Sequence, residues 1–165
     1  MSTTIQPPVA KAQMLIRKPP AEVFAAFVDP AVTTHFWFTH SSGRLATGKR
    51  IRWDWEMYGV STMVEVKAID ENRRILIEWN GPGNPSLVEW RFEPRDDGHT
   101  LVRIRNWRFE GDANQTVAEA IDSTGGFSTV LAGAKAFLEH GLELNLIADH
   151  HPATHSTTPA SAQVE

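Results

Sequence analysis

Residues 51–68 read IRWDWEMYGVSTMVEVKA, and their alternation decides the fold class. Ile51, Trp53, Trp55 and Met57 alternate with Arg52, Asp54, Glu56 and Tyr58, the period-two pattern of a half-buried antiparallel strand. Gly59 turns the chain, and Thr62, Val64, Val66 and Ala68 share one face of the next strand. The pattern then repeats toward the C-terminus. Glu71-Asn72 makes a turn, and Ile75, Ile77 and Trp79 alternate with Leu76 and Glu78. Asn80-Gly81-Pro82-Gly83-Asn84-Pro85 has the composition of a longer hairpin loop. Val88, Trp90 and Phe92 follow, Asp96-Asp97-Gly98 closes another hairpin, and Val102, Ile104 and Asn106 alternate with Arg103, Arg105 and Trp107. Five consecutive hairpin-linked strands make an antiparallel meander.

Outward from the meander the period changes. On the N-terminal side, Val9 to Ile16 alternates as a first strand and ends at Arg17-Lys18-Pro19-Pro20. Val23, Phe24 and Phe27 fall at helical spacing, so Ala21 to Val28 predicts a short helix stopped near Asp29-Pro30. A second short helix is expected over Ala31 to Phe36. After Gly111 the pattern is helical again, with Val117, Ala120 and Ile121. Past Gly125-Gly126, the residues from Phe127 through Val130, Leu131, Ala134, Phe137, Leu138, Leu142 and Leu146 to Ile147 keep a three-or-four spacing. This is the longest helix, and it is the large apolar partner available to the sheet. The expected fold is therefore α+β, with a curved antiparallel sheet wrapped around a long C-terminal helix and two short helices after the first strand. Residues 9–148 form the expected domain, flanked by polar tails at 1–8 and 149–165.

Several stretches resemble the START-like (SRPBCC, helix-grip) superfamily, in the branch named for the C-terminal domain of the heat-shock-protein-ninety ATPase activator. They are Arg17-Lys18-Pro19-Pro20-Ala21-Glu22-Val23-Phe24 leading to Asp29-Pro30, Phe36-Trp37, and Gly43-Arg44-Leu45-Ala46-Thr47-Gly48. Ile77-Glu78-Trp79, Trp90-Arg91-Phe92, Thr100-Leu101-Val102, Gly126-Phe127 and Leu138-Glu139-His140-Gly141 complete the set. The resemblance covers about residues 10 to 147. It implies a helix-grip fold with a cavity between the long helix and the concave sheet face, used for small apolar or amphipathic molecules. The chain departs from the family's usual pattern at two positions: Gly126-Phe127 stands where Gly-Trp is usual at the opening of the helix, and Asn106 where a histidine is frequent. The resemblance also admits two other readings, a cyclase- or hydrolase-like enzyme and a module that stimulates a chaperone ATPase.

Composition narrows the function classes. The 165 residues amount to one domain, and 16 Lys+Arg against 20 Asp+Glu give a net charge of −4, which argues against a nucleic-acid partner. With no cysteine, thiolate metal sites, disulfides and cysteine nucleophiles are excluded. No apolar run is long enough to span a membrane, and the first residues lack a secretory pattern, so a cytoplasmic location is expected. No cofactor and no metal site are expected; His150, His151 and His155 lie in the expected tail without a scaffold to fix ligand geometry. The first strand, at a sheet edge, leaves a homodimer open.

The candidate binding residues come from the inner face. Trp53, Trp55, Trp79 and Trp90 share a side in this alternation, with Phe127 and Leu131 facing them from the helix. Trp37 follows the second short helix as a gate candidate, and Asn106 is the one clear polar residue on the apolar face of its strand. Rings with few polar groups line ligand pockets, and tryptophans also fill solid cores; both readings stand on the sequence. For the enzyme reading, Asn106 with Glu56 or Glu89 is the polar set. The sequence supplies no nucleophile elbow, HExxH, Walker loop or dinucleotide fingerprint, and no catalytic residue is named.

Overall fold

A computed structural model of the chain describes residues 6–79 and 85–152. Residues 80–84 of the expected hairpin loop, the tail stretches 1–5 and 153–165, and with the latter His155, lie outside the described residues. Seven strands form one antiparallel sheet in the order β1-β7-β6-β5-β4-β3-β2. They are β1 (Ala10–Ile16), β2 (His40–Ser41), β3 (Arg50–Trp55), β4 (Val60–Asp70), β5 (Arg74–Trp79), β6 (Ser86–Pro94) and β7 (Thr100–Trp107). Two short helices, α1 (Pro20–Val28) and α2 (Pro30–Thr33), follow the first strand. The long α3 (Ala113–His140) and a short α4 (Leu146–His150) close the chain. The fold is the expected one, a curved antiparallel sheet whose inner face is closed by α3. No helix among the described residues is long and apolar enough to cross a membrane.

The alternation read from the sequence sorts the two faces. Ile51 and Trp53 on β3, Val64 and Val66 on β4, Ile75 and Ile77 on β5, Val88, Trp90 and Phe92 on β6, and Val102 and Ile104 on β7 are all buried. Phe127, Val130, Leu131 and Ala134 on α3 join the same core, as do Val23, Phe24 and Phe27 on α1. The first strand belongs to this layer through β7, in register from Ala10 opposite Asn106 to Ile16 opposite Thr100.

Four local expectations change. The register shifts between Val66 and Ala68, which places Ala68 opposite the outward Leu76 and brings Ile69 opposite the buried Ile75; a bulge adds one residue and so reverses the faces beyond it. Met57 does not continue β3. Glu56–Tyr58 is a 3-10 turn closed by Gly59 in the left-handed region at φ 62°, a conformation glycine adopts without penalty. The second helix stops at Thr33 rather than Phe36: the Thr33 hydroxyl turns back to the Ala26 carbonyl at 2.5 Å, and the His35 and Phe36 amides take three-residue turns to the Val32 and Thr33 carbonyls.

The fourth change concerns the long helix. It starts before Gly125-Gly126 instead of after them, from a capping box in which Asp112 accepts from the Gln115 amide and the Gln115 side chain accepts from the Asp112 amide. It ends at His140, since Gly141 takes the left-handed cap at φ 67°. Leu142 and Leu144 are consequently exposed, and Leu146 and Ile147 belong to α4.

Candidate functional site

Phe36 and Trp37 leave the turn after α2 directly beneath α3, where the helix comes close enough that a Cβ on Gly133 would stand 3.3 Å from both the Cβ and the carbonyl oxygen of Phe36. The glycine thus permits the approach that carries Trp37 inward. Its ring lies 5.0 Å from Trp53, 5.7 Å from Phe127, 6.0 Å from Trp90, and 6.1 Å from both Trp55 and Trp79, measured between centroids. The six aromatic residues selected from the sequence therefore form one cluster around Trp37. Trp53, Trp90, Phe127 and Trp37 are buried, Trp55 and Trp79 are half-buried, and Leu131 is fully buried in the same core. These separations are those of offset and edge-on ring pairs in direct contact, so the rings themselves occupy the space between sheet and helix.

Asn106 and Trp90 each bring a polar group into this apolar region, and they differ in their partners. Asn106 donates from Nδ2 to the Ser86 hydroxyl at 2.9 Å and to the Leu87 carbonyl at 2.7 Å, and its Oδ1 accepts from the Ser123 hydroxyl at 2.7 Å. The amide is thereby committed to joining β7, β6 and α3, not left waiting for a ligand. Trp90 is the opposite case. Its indole Nε1 is buried and has no hydrogen-bond partner among the described residues, with the ring 99% hidden between Phe27, Trp37 and Phe127. A donor left in this state costs about 1–3 kcal/mol.

At the mouth of the cluster a cavity of about 130 Å³ opens beside Trp37, lined also by His35, Met57, Gly133, Asn145 and Ile147. The His35 ring stacks on Phe137 at 4.3 Å and its Nδ1 lies 3.1 Å from Glu143 Oε1. Across the opening, the Tyr58 hydroxyl donates to the Ile147 carbonyl and so ties the turn after β3 to α4. His40 instead faces outward, 3.1 Å from Asp54. Hydrogen bonds from Ser61 and Arg52, with a lesser one from His40, hold the Asp54 carboxyl down at about 2 against the opposing effect of burial; it is an ionised surface acceptor.

The polar set of the enzyme reading does not assemble. Glu89 projects from β6 on the outer sheet face while Asn106 is inward, and Glu56 sits on the exposed 3-10 turn. Sequence reasoning missed Phe38, whose ring stacks on Trp53 at 4.6 Å and 19°; it adjoins Trp37 in an unpatterned loop, where no periodicity singles it out. It also missed Ser123 as the partner of Asn106, although Ser123 stands one helical turn before Phe127 on the same face.

Comparison with known proteins agrees with this architecture. A family model described as Activator of Hsp90 ATPase homolog 1-like protein matches residues 17–139. Among solved structures, protein SSP2350 from Staphylococcus saprophyticus superimposes with a TM-score of 0.70 at 28% identity, covering 82% of this chain and 95% of that one. DynU16, a putative protein in the dynemicin biosynthetic locus, gives a TM-score of 0.72 at 20% identity over 82% of this chain, which spans 48% of DynU16. The Aha1 dimer from Colwellia psychrerythraea gives 0.68 at 16% identity, covering 81% and 97%. No curated protein matches.

Proposed function

The chain belongs to the Activator of Hsp90 ATPase homolog 1-like family, and from that premise and the site's geometry we propose that it binds a small, largely apolar molecule carrying a hydrogen-bond acceptor between α3 and the inner sheet face. The observation that carries this reading is the Trp90 indole N–H, buried among rings with no acceptor. Buried donors in native proteins are nearly always paired, and a carbonyl or ether oxygen on a ligand completes this one. Ligand cavities usually run from about 300 to 1,000 Å³, so the 130 Å³ beside Trp37 is an entrance and not the full site. Binding displaces the Trp37 ring, which hangs from a turn and not from a strand or helix. The outward swing of Trp37 uncovers Trp53, Trp90 and Phe127 as the walls.

Acetophenone and isopropylbenzene test this, because they share a shape and differ in the acceptor oxygen. Titrated into isotopically labelled protein, the ketone is expected to bind about tenfold more tightly, the equivalent of 1.4 kcal/mol, and to move one indole N–H resonance downfield. Trp90→Phe is expected to remove that resonance and the preference together. Saturable binding of neither probe would refute the site, and equal binding with an unmoved Trp90 signal would refute the acceptor.

A further inference from the structure

The outer sheet face carries a second feature, independent of the aromatic cluster. Between β1, β7 and β6 lies a groove of about 460 Å³ lined by Lys11, Gln13, Glu89, Arg91, Arg103 and Arg105. Strand register sets like charges side by side here: Arg103 is opposite Arg91, Arg91 opposite Arg74, and Lys11 opposite Arg105. Such pairs are unfavourable on a sheet unless something neutralises them. The protein supplies too few carboxylates to do so. Glu89, its side chain only 3% exposed, serves Arg74 at 2.6 Å, Arg91 at 3.0 Å and Arg105 at 3.6 Å, and Glu93 serves Arg103 at 2.8 Å. Lys11 has no carboxylate partner among the described residues. Four arginines thus share two carboxylates and Lys11 has none, leaving three positive charges in excess on a chain whose net charge is −4.

We propose that this groove binds a small polyanion, a molecule bearing two or more phosphate or carboxylate groups about 5 Å apart. That spacing follows from the strands, which set neighbouring arginines roughly 4.8 Å apart along the row. Guanidinium groups offer paired donors that fit the oxygens of either anion. Glu89 orients the row from beneath: it accepts from Arg74 and Arg91 and so fixes their planes, while the Arg91 side chain stays 55% exposed. A volume of this order suits a small molecule, and the acidic balance of the whole chain disfavours a nucleic acid.

Inorganic triphosphate and citrate, titrated at constant ionic strength near 0.15 M and followed by backbone amide shifts, read this out. At least one is expected to bind saturably with its largest shifts on β1, β7 and β6, and the stronger of the two identifies the anion type. Lys11→Gln and Arg103→Gln are each expected to weaken binding about fivefold, in the range of one partly exposed charged contact. Arg50→Gln, on the same face at β3, is expected to leave it unchanged. The Lys11 side chain makes no hydrogen bond or ion pair among the described residues, so its variant carries the test if Arg103→Gln unfolds. Failure of both probes to saturate, or binding indifferent to Lys11→Gln, would overturn the proposal.

Discussion

Glu89 is a buried carboxylate whose state is decided by two opposed effects. Burial pushes its carboxyl up, and the hydrogen bonds from Arg74 and Arg91 outweigh burial and hold it below the usual 4.5. A carboxyl whose folded value lies below its unfolded one binds fewer protons when folded. Its contribution to stability is therefore complete above the unfolded value and disappears as pH falls through the folded one. Urea unfolding of the wild type and Glu89→Gln should differ by a constant amount above about pH 5.5, and the difference should shrink steadily below pH 4.5. A difference that persists undiminished at pH 3 would mean that Glu89 acts through packing and not through its charge. The alternation of β6 shows Glu89 to be outward-facing. Its burial is not legible there, because it comes from three arginines on two other strands and its own, whose convergence depends on register. Asn106 shows the same limit from the other side: an inward amide could be read from the alternation, and its three partners could not.

On the scale of the element, α3 and its C-terminal cap hold two kinds of glycine. Gly125 is an exposed interior position whose added Cβ meets nothing within 4 Å, so Gly125→Ala gains the helix propensity of alanine and should stabilise by about 1 kcal/mol. Gly141 also has open space, but at φ 67° an L side chain is strained, and Gly141→Ala should destabilise by roughly 1–2 kcal/mol. Shifts of the urea midpoint of opposite sign for the same substitution inside the helix and at its cap are the expected result, and matching signs would contradict this account of the helix and its end. The sequence showed these elements unevenly. The strands were readable because each buries one face and alternation is a local signal. The helical pattern after Gly111 is legible, but its continuity with the stretch past Gly125-Gly126 is not, although Asp112 and Gln115 stand at capping-box spacing, since the glycine pair reads as a break. The end of α3 was overrun because Leu142 and Leu146 continue an apolar spacing that the backbone at Gly141 interrupts. The faces of β4 failed beyond Val66 for want of any residue announcing a bulge.

Taken whole, the molecule closes on itself. The first strand pairs with the seventh along its full length, the Arg17 amide donates to Glu139 at 2.8 Å, and Lys135 donates to the Leu15 carbonyl at 2.9 Å. Chain segments more than 80 residues apart are thus fastened by the same contacts that hold α3 over the aromatic cluster. Neither the helix nor the sheet can bury its apolar face without the other, and the cluster draws rings from β3, β5, β6, α3 and the turn after α2. Loss of any one layer exposes the remainder, which is the condition for all-or-none unfolding. Two spectroscopic signals separate the layers: near-ultraviolet circular dichroism follows the packed tryptophans, and the far-ultraviolet band is dominated by the 28 residues of α3. Their urea transitions should coincide in midpoint and slope. Earlier loss of the near-ultraviolet signal would show the tryptophans loosening beneath an intact helix, and would mean that the α3 interface is not what holds Trp37 in place. Under coincidence, the opening that the proposed binding requires is confined to the Trp37 turn, and acetophenone should then raise both midpoints by the same amount.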